Sequence, residues 1–452
     1  MPAVGVPPQP AASPVDAASS PARRADLVRR VHGALSTIHR TLDAALAQAA
    51  PGTPLLQADA LGVRPLRLDK VVAEAGLLMR CADHADATDP SIANALRTLA
   101  RRLAPLARGA AVLARLCSEP SGAIETAAAH VYLTDFGHRD NAFERFLREI
   151  VDAGSVGGPE RLPNHQLEHH WLGQIGAGEV DRMPVDAALL ARTCVASGLD
   201  VLGASTLDLY AFTHVLLYAT DTGRRAVDWP RPLAEIEAET EAALAVALDA
   251  DNLDLAAELL WTWPMAGLPW SAAAGFAFEV LAAAQDQRGF LPGPRFDAAH
   301  LASLPAAERD GWVLRTSYHA DVVMGILCAA ALRPACGMSQ SDGPGTGRGG
   351  SIGDWLRLLP SSGRSPRWLD RQAALHTTRG AALKPFVACI VLRRAAAVND
   401  LDRLRAGLQA ALDDDVDGPA VRQALALLRR ATSLGRLQQL AVPEFPPLDE
   451  AT

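Results

Sequence analysis

The sequence predicts an all-α protein of helical-hairpin repeats, arranged as an α/α toroid or a partial ring of about six to seven hairpins. Three observations lead there. Ala, Leu and Arg dominate the composition while aromatic residues make up only 5%, which favours helix over the β-branched and aromatic chemistry of strands. Beyond residue 22, apolar residues recur with helical spacing between short Pro- or Gly-bearing breaks, and no run alternates as a strand would. Finally, HVYLTDFG at 130–137 is echoed by LLYATDTG at 216–223, an interval that accommodates two hairpins.

The elements follow in order. Residues 1–22 are rich in Pro, Ala and Ser and are expected to be a disordered lead-in. They show no basic region followed by an apolar stretch, as a signal peptide would. Helices are expected near 24–49, 68–84, 89–117, 121–136, 141–153, 164–175, 184–198 and 205–222. They continue near 231–249, 252–264, 270–286, 311–333, 351–359, 367–397, 400–412 and 418–440. Together, residues 23–440 form one helical-repeat domain. Two stretches interrupt it: a long connection at 287–310, and the Gly-rich segment ACGMSQSDGPGTGRGG at 335–350, expected to be a mobile loop. Residues 441–452 read as a loose tail.

Charge and cysteine usage narrow the function. The net charge of −8 lacks the basic footprint of a nucleic-acid binder. No charge-free apolar run reaches 18 residues, so no membrane span is expected. The six cysteines are scattered without a CxxC, which fits a reducing cytoplasm. Lys70 and Lys384 are the only lysines, and Arg with abundant Ala otherwise is the signature of a GC-rich bacterial genome.

The segment AFEVLAAAQDQRGFLPG at 277–293, followed by SYHADVV at 317–323, resembles the outer helix, Gln-x-x-x-Gly turn and inner helix of the α/α-toroid superfamily. Terpene cyclases, protein prenyltransferase β subunits and lanthionine cyclases belong to it. The resemblance implies a central cavity; the zinc-ligand motifs of those enzymes are not recognisable here, so their chemistry is not carried over.

Several constellations are candidates for chemistry. His165, Glu168 and His169 fit HxxEH, in which two imidazoles one turn apart can share a divalent metal and the Glu can activate water. On a helical wheel Glu168 falls among Leu167, Trp171, Leu172 and Ile175, so it is expected to be buried with a partner or to act as acid or base. Asp135 and Asp221 each precede a C-cap glycine by two residues, where the helix dipole disfavours an acid. Either a local latch to Arg139 and Arg225 holds them, or they face the cavity. Tyr318, His319 and Asp321 are expected in the opening turns of a helix that is apolar all round from Val322 to Cys328, hence at the mouth of a cavity. Tyr210 and His214, and His376 before another apolar run, are placed to play equivalent parts. Asp413, Asp414, Asp415 and Asp417 fit DDxxD, but they lie between a helix end and Gly418-Pro419 and read as a solvated turn.

The reading is therefore a bacterial cytoplasmic enzyme, of a kind suited to specialised biosynthesis, acting on a small or medium organic substrate. Glu168, His319 and Asp321 are its catalytic candidates. Asp135, Tyr210, His214, Asp221, Tyr318 and His376 are its lining, and His165 and His169 would hold a divalent metal cofactor if one is used. The rival readings are a non-catalytic scaffold with a protein partner on its concave face, and a hydrolase built on HxxEH.

Overall fold

A computed structural model describes residues 21–49, 61–83, 89–155, 160–180, 183–333, 351–359, 366–371 and 380–440. The expected lead-in up to residue 20, the Gly-rich segment 335–350, His376 and the tail 441–452 lie outside the described residues. Among the described residues all regular structure is helical and none is in a strand, so the fold is all-α. No helix of these residues is long and apolar enough to cross a membrane.

The longer helices that position the site are α1 (Pro21–Ala49), α2 (Leu68–Ala82), α3 (Pro90–Ala107), α4 (Ala128–Asp135), α5 (Pro163–Ala177), α6 (Thr206–Ala219), α7 (Leu233–Asp249), α8 (Leu253–Leu260), α9 (Ala272–Arg288) and α10 (Ala306–Ala331). Their ends follow local chemistry. Asp89 caps α3 by accepting from the Ser91 amide, with Pro90 at the first helical position. Ser205 and Asp208 form a reciprocal capping box on α6. Gly289 ends α9 at φ 79°, a left-handed turn that costs glycine little.

Six of these helices contact one another in a cycle. α2 meets α4, α4 meets α5, α5 meets α6, α6 meets α8, α8 meets α10, and α10 returns to α2. The others cover them: α1 lies on α10 and α2, α3 on α2 and α4, and α7 and α9 on α8. This arrangement explains why α10 has buried residues on every side. Trp312, Tyr318, Val322, Met324, Ile326 and Leu327 are all buried, because α10 has ring neighbours on two sides and α1 behind it. Close approach requires glycine at two crossings. A Cβ on Gly325 of α10 would lie 2.3 Å from the Ala34 Cβ of α1, and one on Gly76 of α2 would lie 2.9 Å from the Tyr132 ring of α4.

A buried ion cluster ties the ring together at the ends of α2, α4 and α6. The Arg80 side chain has no exposed surface, and it donates to Asp135 and, at 2.8 and 2.9 Å, to both oxygens of Asp221. The indole Nε1 of Trp171 donates to the same Asp221 at 2.6 Å. Trp171 also stacks at a tilt on Tyr132 and Tyr218, with centroids 5.9 and 5.1 Å away. The repeat in the sequence is thus explained: each copy supplies a Tyr beside Trp171 and, three residues on, an Asp for Arg80. The expected latch to Arg139 and Arg225 does not form. Arg139 pairs with Glu144 instead, and Arg225 donates to backbone carbonyls of residues 183, 218 and 219. Once the chain leaves the helix, i,i+4 neighbours part, and Arg80 is the nearer cation.

Several expected boundaries move. The region 184–198 holds only the short helices Ala187–Leu190 and Cys194–Ser197, and 121–136 breaks at Ala127. The region 89–117 is broken at Arg108-Gly109, giving α3 and a separate helix Ala110–Ser118. More consequentially, α10 begins at Ala306, so Tyr318, His319 and Asp321 lie well inside the helix and not in its first turns. The polar run before Trp312 hid this start, although Ala, Glu and Arg are good helix formers.

Candidate active site

The ring helices line an open-sided cavity of about 460 Å³, within the size range of small-molecule sites. Its wall is supplied by α2, α4, α5, α6, α8 and α10 together. Apolar surface comes from Leu77, Leu217, Val323, Ile326 and the aromatic faces of Tyr132 and Trp261. The polar groups converge at one side, where α2, α6, α8 and α10 present Glu74, His214, Asp254, Glu258 and His319.

The acids of α8 are one turn apart, which sets both on the same face of the helix. Both are buried, at 2% exposure each. Each has one oxygen tied down. The Tyr210 hydroxyl donates to Asp254 Oδ2 at 2.7 Å, and the Thr213 hydroxyl donates to Glu258 Oε2 at 2.6 Å. The other oxygens face His319. Its Nε2 is 3.7 Å from Asp254 Oδ1 and 3.6 Å from Glu258 Oε1, too far for hydrogen bonds. Asp254 Oδ1 is buried with no hydrogen-bond partner. On the opposite edge of the imidazole, Nδ1 lies 3.0 Å from Glu74 Oε1. His214 Nε2 approaches Glu258 Oε2 at 3.7 Å.

These neighbours set the protonation. Burial disfavours the His319 imidazolium, but Asp254, Glu74 and Glu258 outweigh it and raise its pKa well above the ordinary value. Burial pushes Glu258 and Glu74 up, yet the facing imidazoles, with Lys70 for Glu74, hold both below the usual carboxylate range. Asp254 is raised, because burial and the adjacent Glu258 exceed the pull of His319. Glu168 accepts a hydrogen bond from Tyr218, whose hydroxyl is raised well above its usual pKa by burial and by Glu168.

Of the residues singled out in the sequence, Glu168, Tyr210, His214 and His319 line this cavity. The others do not. Asp135 and Asp221 are consumed by Arg80. Tyr318 and Asp321 point to a separate recess beside Thr37 and Phe290, and Tyr318 reaches Glu74 from behind. Asp321 accepts from the Leu291 amide at 2.7 Å, Gln285 Nε2 at 3.1 Å and the Thr37 hydroxyl at 3.1 Å, and burial lifts its pKa to about 6. It anchors the 290–293 turn onto α10, a structural role. His165 is exposed; His169 lies 3.3 Å from Glu125, which also pairs with Arg161. The imidazoles of HxxEH are therefore not gathered into a metal-sized group. Among the described residues the one such group is Asp254, Glu258 and His319.

Sequence reasoning missed Glu74, Asp254 and Glu258. The signal was present: in DNLDLAAELLW, two acids four residues apart interrupt a helix otherwise apolar on every side. Asp249 and Asp251 just before it pair with Arg394 and Arg367.

No curated protein and no solved structure matches this chain. Residues 32–329 match the family described as Domain of unknown function (DUF6895), a span that contains the ring helices up to the last turn of α10. The chain belongs to the DUF6895 family.

Proposed function

We propose that the protein is an enzyme whose reaction takes place in the ring cavity, on a small or medium organic substrate with an apolar body and one polar end. The cyclic order of inner helices, with α2, α4, α8 and α10 backed by outer ones, supports an α/α-toroid reading of the architecture. The observation that carries the enzymatic reading is convergence. Asp254, Glu258 and His319 are brought to one point from helices far apart in sequence, inside a cavity with apolar walls. Burying two carboxylates is costly, and unlike the acids held by Arg80 these line a cavity. Glu168 and Tyr218 supply a second acid–base pair within the same space. Arg-for-Lys bias and Ala richness support a bacterial source, and the scattered free thiols support a cytoplasmic setting.

The reading is tested by incubating the full chain with a mixture of small cellular metabolites and identifying what it retains by mass spectrometry. Ala73 lines the cavity, and Ala73→Trp would fill it. Retention of a discrete small molecule by the wild type and its loss in Ala73→Trp, with helical content unchanged, is the expected result. Absence of any retained molecule, or equal retention by the filled variant, overturns the proposal.

A further inference from the structure

The Asp254–Glu258–His319 group has a geometry that acid–base chemistry alone does not require. Nε2 of His319 stands 3.6–3.7 Å from one oxygen of each carboxylate. A tetrahedral zinc-type ion with bonds of roughly 2.0–2.2 Å sets its ligand atoms roughly 3.3–3.6 Å apart. An octahedral magnesium site would draw neighbouring ligands to roughly 3.0 Å. We infer that Asp254 Oδ1, Glu258 Oε1 and His319 Nε2 are three protein ligands of a divalent transition cation of the zinc type, with a fourth position open to the cavity.

Three features support a built site. Asp254 Oδ1 is buried yet unpartnered and faces the other ligand atoms. The outer oxygen of each carboxylate is already held, by Tyr210 and by Thr213, so the ligand oxygens are oriented before any ion arrives. Glu74 sits 3.0 Å from the far nitrogen of His319, near enough for its charge to strengthen the ring as a ligand although no hydrogen bond joins the two. A closed structural site would have four protein ligands; three with an open position is the pattern of catalytic zinc. The inference rests on the cavity being the reaction site, and an ion there would supply a Lewis acid or a bound water to a substrate.

The experiment is calorimetric titration of the full chain, stripped with chelator, with zinc chloride alone. One equivalent should bind, and Glu258→Gln and His319→Gln should each weaken binding at least tenfold. Glu74→Gln, beside the ligand, should weaken it about 10–100-fold. His165→Ala should leave it unchanged. Should the ligand variants fail to fold, cobalt(II) added to the wild type should give the intense visible absorption of a four-coordinate ion. Absence of binding, binding untouched by the ligand variants, or the weak spectrum of a six-coordinate ion would each overturn the inference. Because metabolite retention and its loss in Ala73→Trp are read separately, a metal-free protein that still retains a small molecule would sink this inference and leave the enzymatic reading standing.

Discussion

Replacing Arg80 with Met tests whether the ring is closed by a single buried cation. Arg80 has no exposed side-chain surface, and Asp221 is 1% exposed. Removing the guanidinium leaves Asp221 with the Trp171 indole as its side-chain donor, in a site that water does not reach. Breaking a buried pair in this way costs about 3–5 kcal/mol. A second change, Asp221→Asn, removes the stranded charge. Asn also tolerates the left-handed backbone that Asp221 adopts at φ 49°, and its oxygen still accepts from Trp171. The double variant should therefore recover at least half of the loss, about 2 kcal/mol. Urea unfolding followed by circular dichroism measures both, with an unchanged m-value showing that only stability moved. A loss below about 1 kcal/mol for Arg80→Met, or no recovery in the double variant, would refute the argument that the ends of α2, α4 and α6 are held through this cation.

Other consequences are equally open to measurement. Glu168→Gln should keep the melting temperature within a few degrees, because Glu168 is only half-buried and Tyr218 can still donate to the amide oxygen, while metabolite retention falls; a large drop in stability would instead make Glu168 a structural residue. Gly325→Ala should destabilise by about 1–3 kcal/mol because its methyl would meet Ala34. Gly33→Ala, with nothing within 4 Å of its Cβ, should stabilise by about 0.5–1 kcal/mol; equal effects at the two sites would contradict the helix crossing. His130 is buried, accepts from Arg108 Nε at 3.0 Å and has its pKa lowered by burial and by Arg108 to about 4. A depressed histidine is neutral in the fold while the unfolded chain still takes up protons, so its contribution is complete above about pH 6.5 and is lost as pH falls toward 4. Its NMR signals should show no titration above about pH 5.5, and a midpoint near 6.5 would contradict the buried placement.

The fold class was legible because it depends on local preference and periodicity, which a sequence displays directly. So was part of the site. Tyr210 and His214 stood out as polar residues ahead of an apolar run, and Glu168 as an acid on an apolar face; all three line the cavity. What failed was any inference that needed to know which helices meet. Asp135 and Asp221 were rightly marked as acids in need of a cation, but their partner is 55 and 141 residues from them, on α2. His319 was placed in the cavity for a faulty reason, since it lies well inside α10. Its neighbour Asp321, two residues on, faces the other side of the same helix and serves the 290–293 turn. Two residues along a helix turn the side chain by roughly 200°, so the pair could not share one site. The HxxEH spacing met the geometric rule for a shared metal, yet α5 turns His165 to solvent. A short motif specifies relative placement along one helix and says nothing of which face is inward.

The proposed ligand centre between α8 and α10 is tested most directly by an anomalous difference map at the zinc absorption edge, from crystals of the full chain grown with zinc chloride. A single strong peak is expected within bonding distance of Asp254 Oδ1, Glu258 Oε1 and His319 Nε2, with remaining density open to the cavity. A cavity without a peak, or zinc held at His165 and His169 instead, would contradict it.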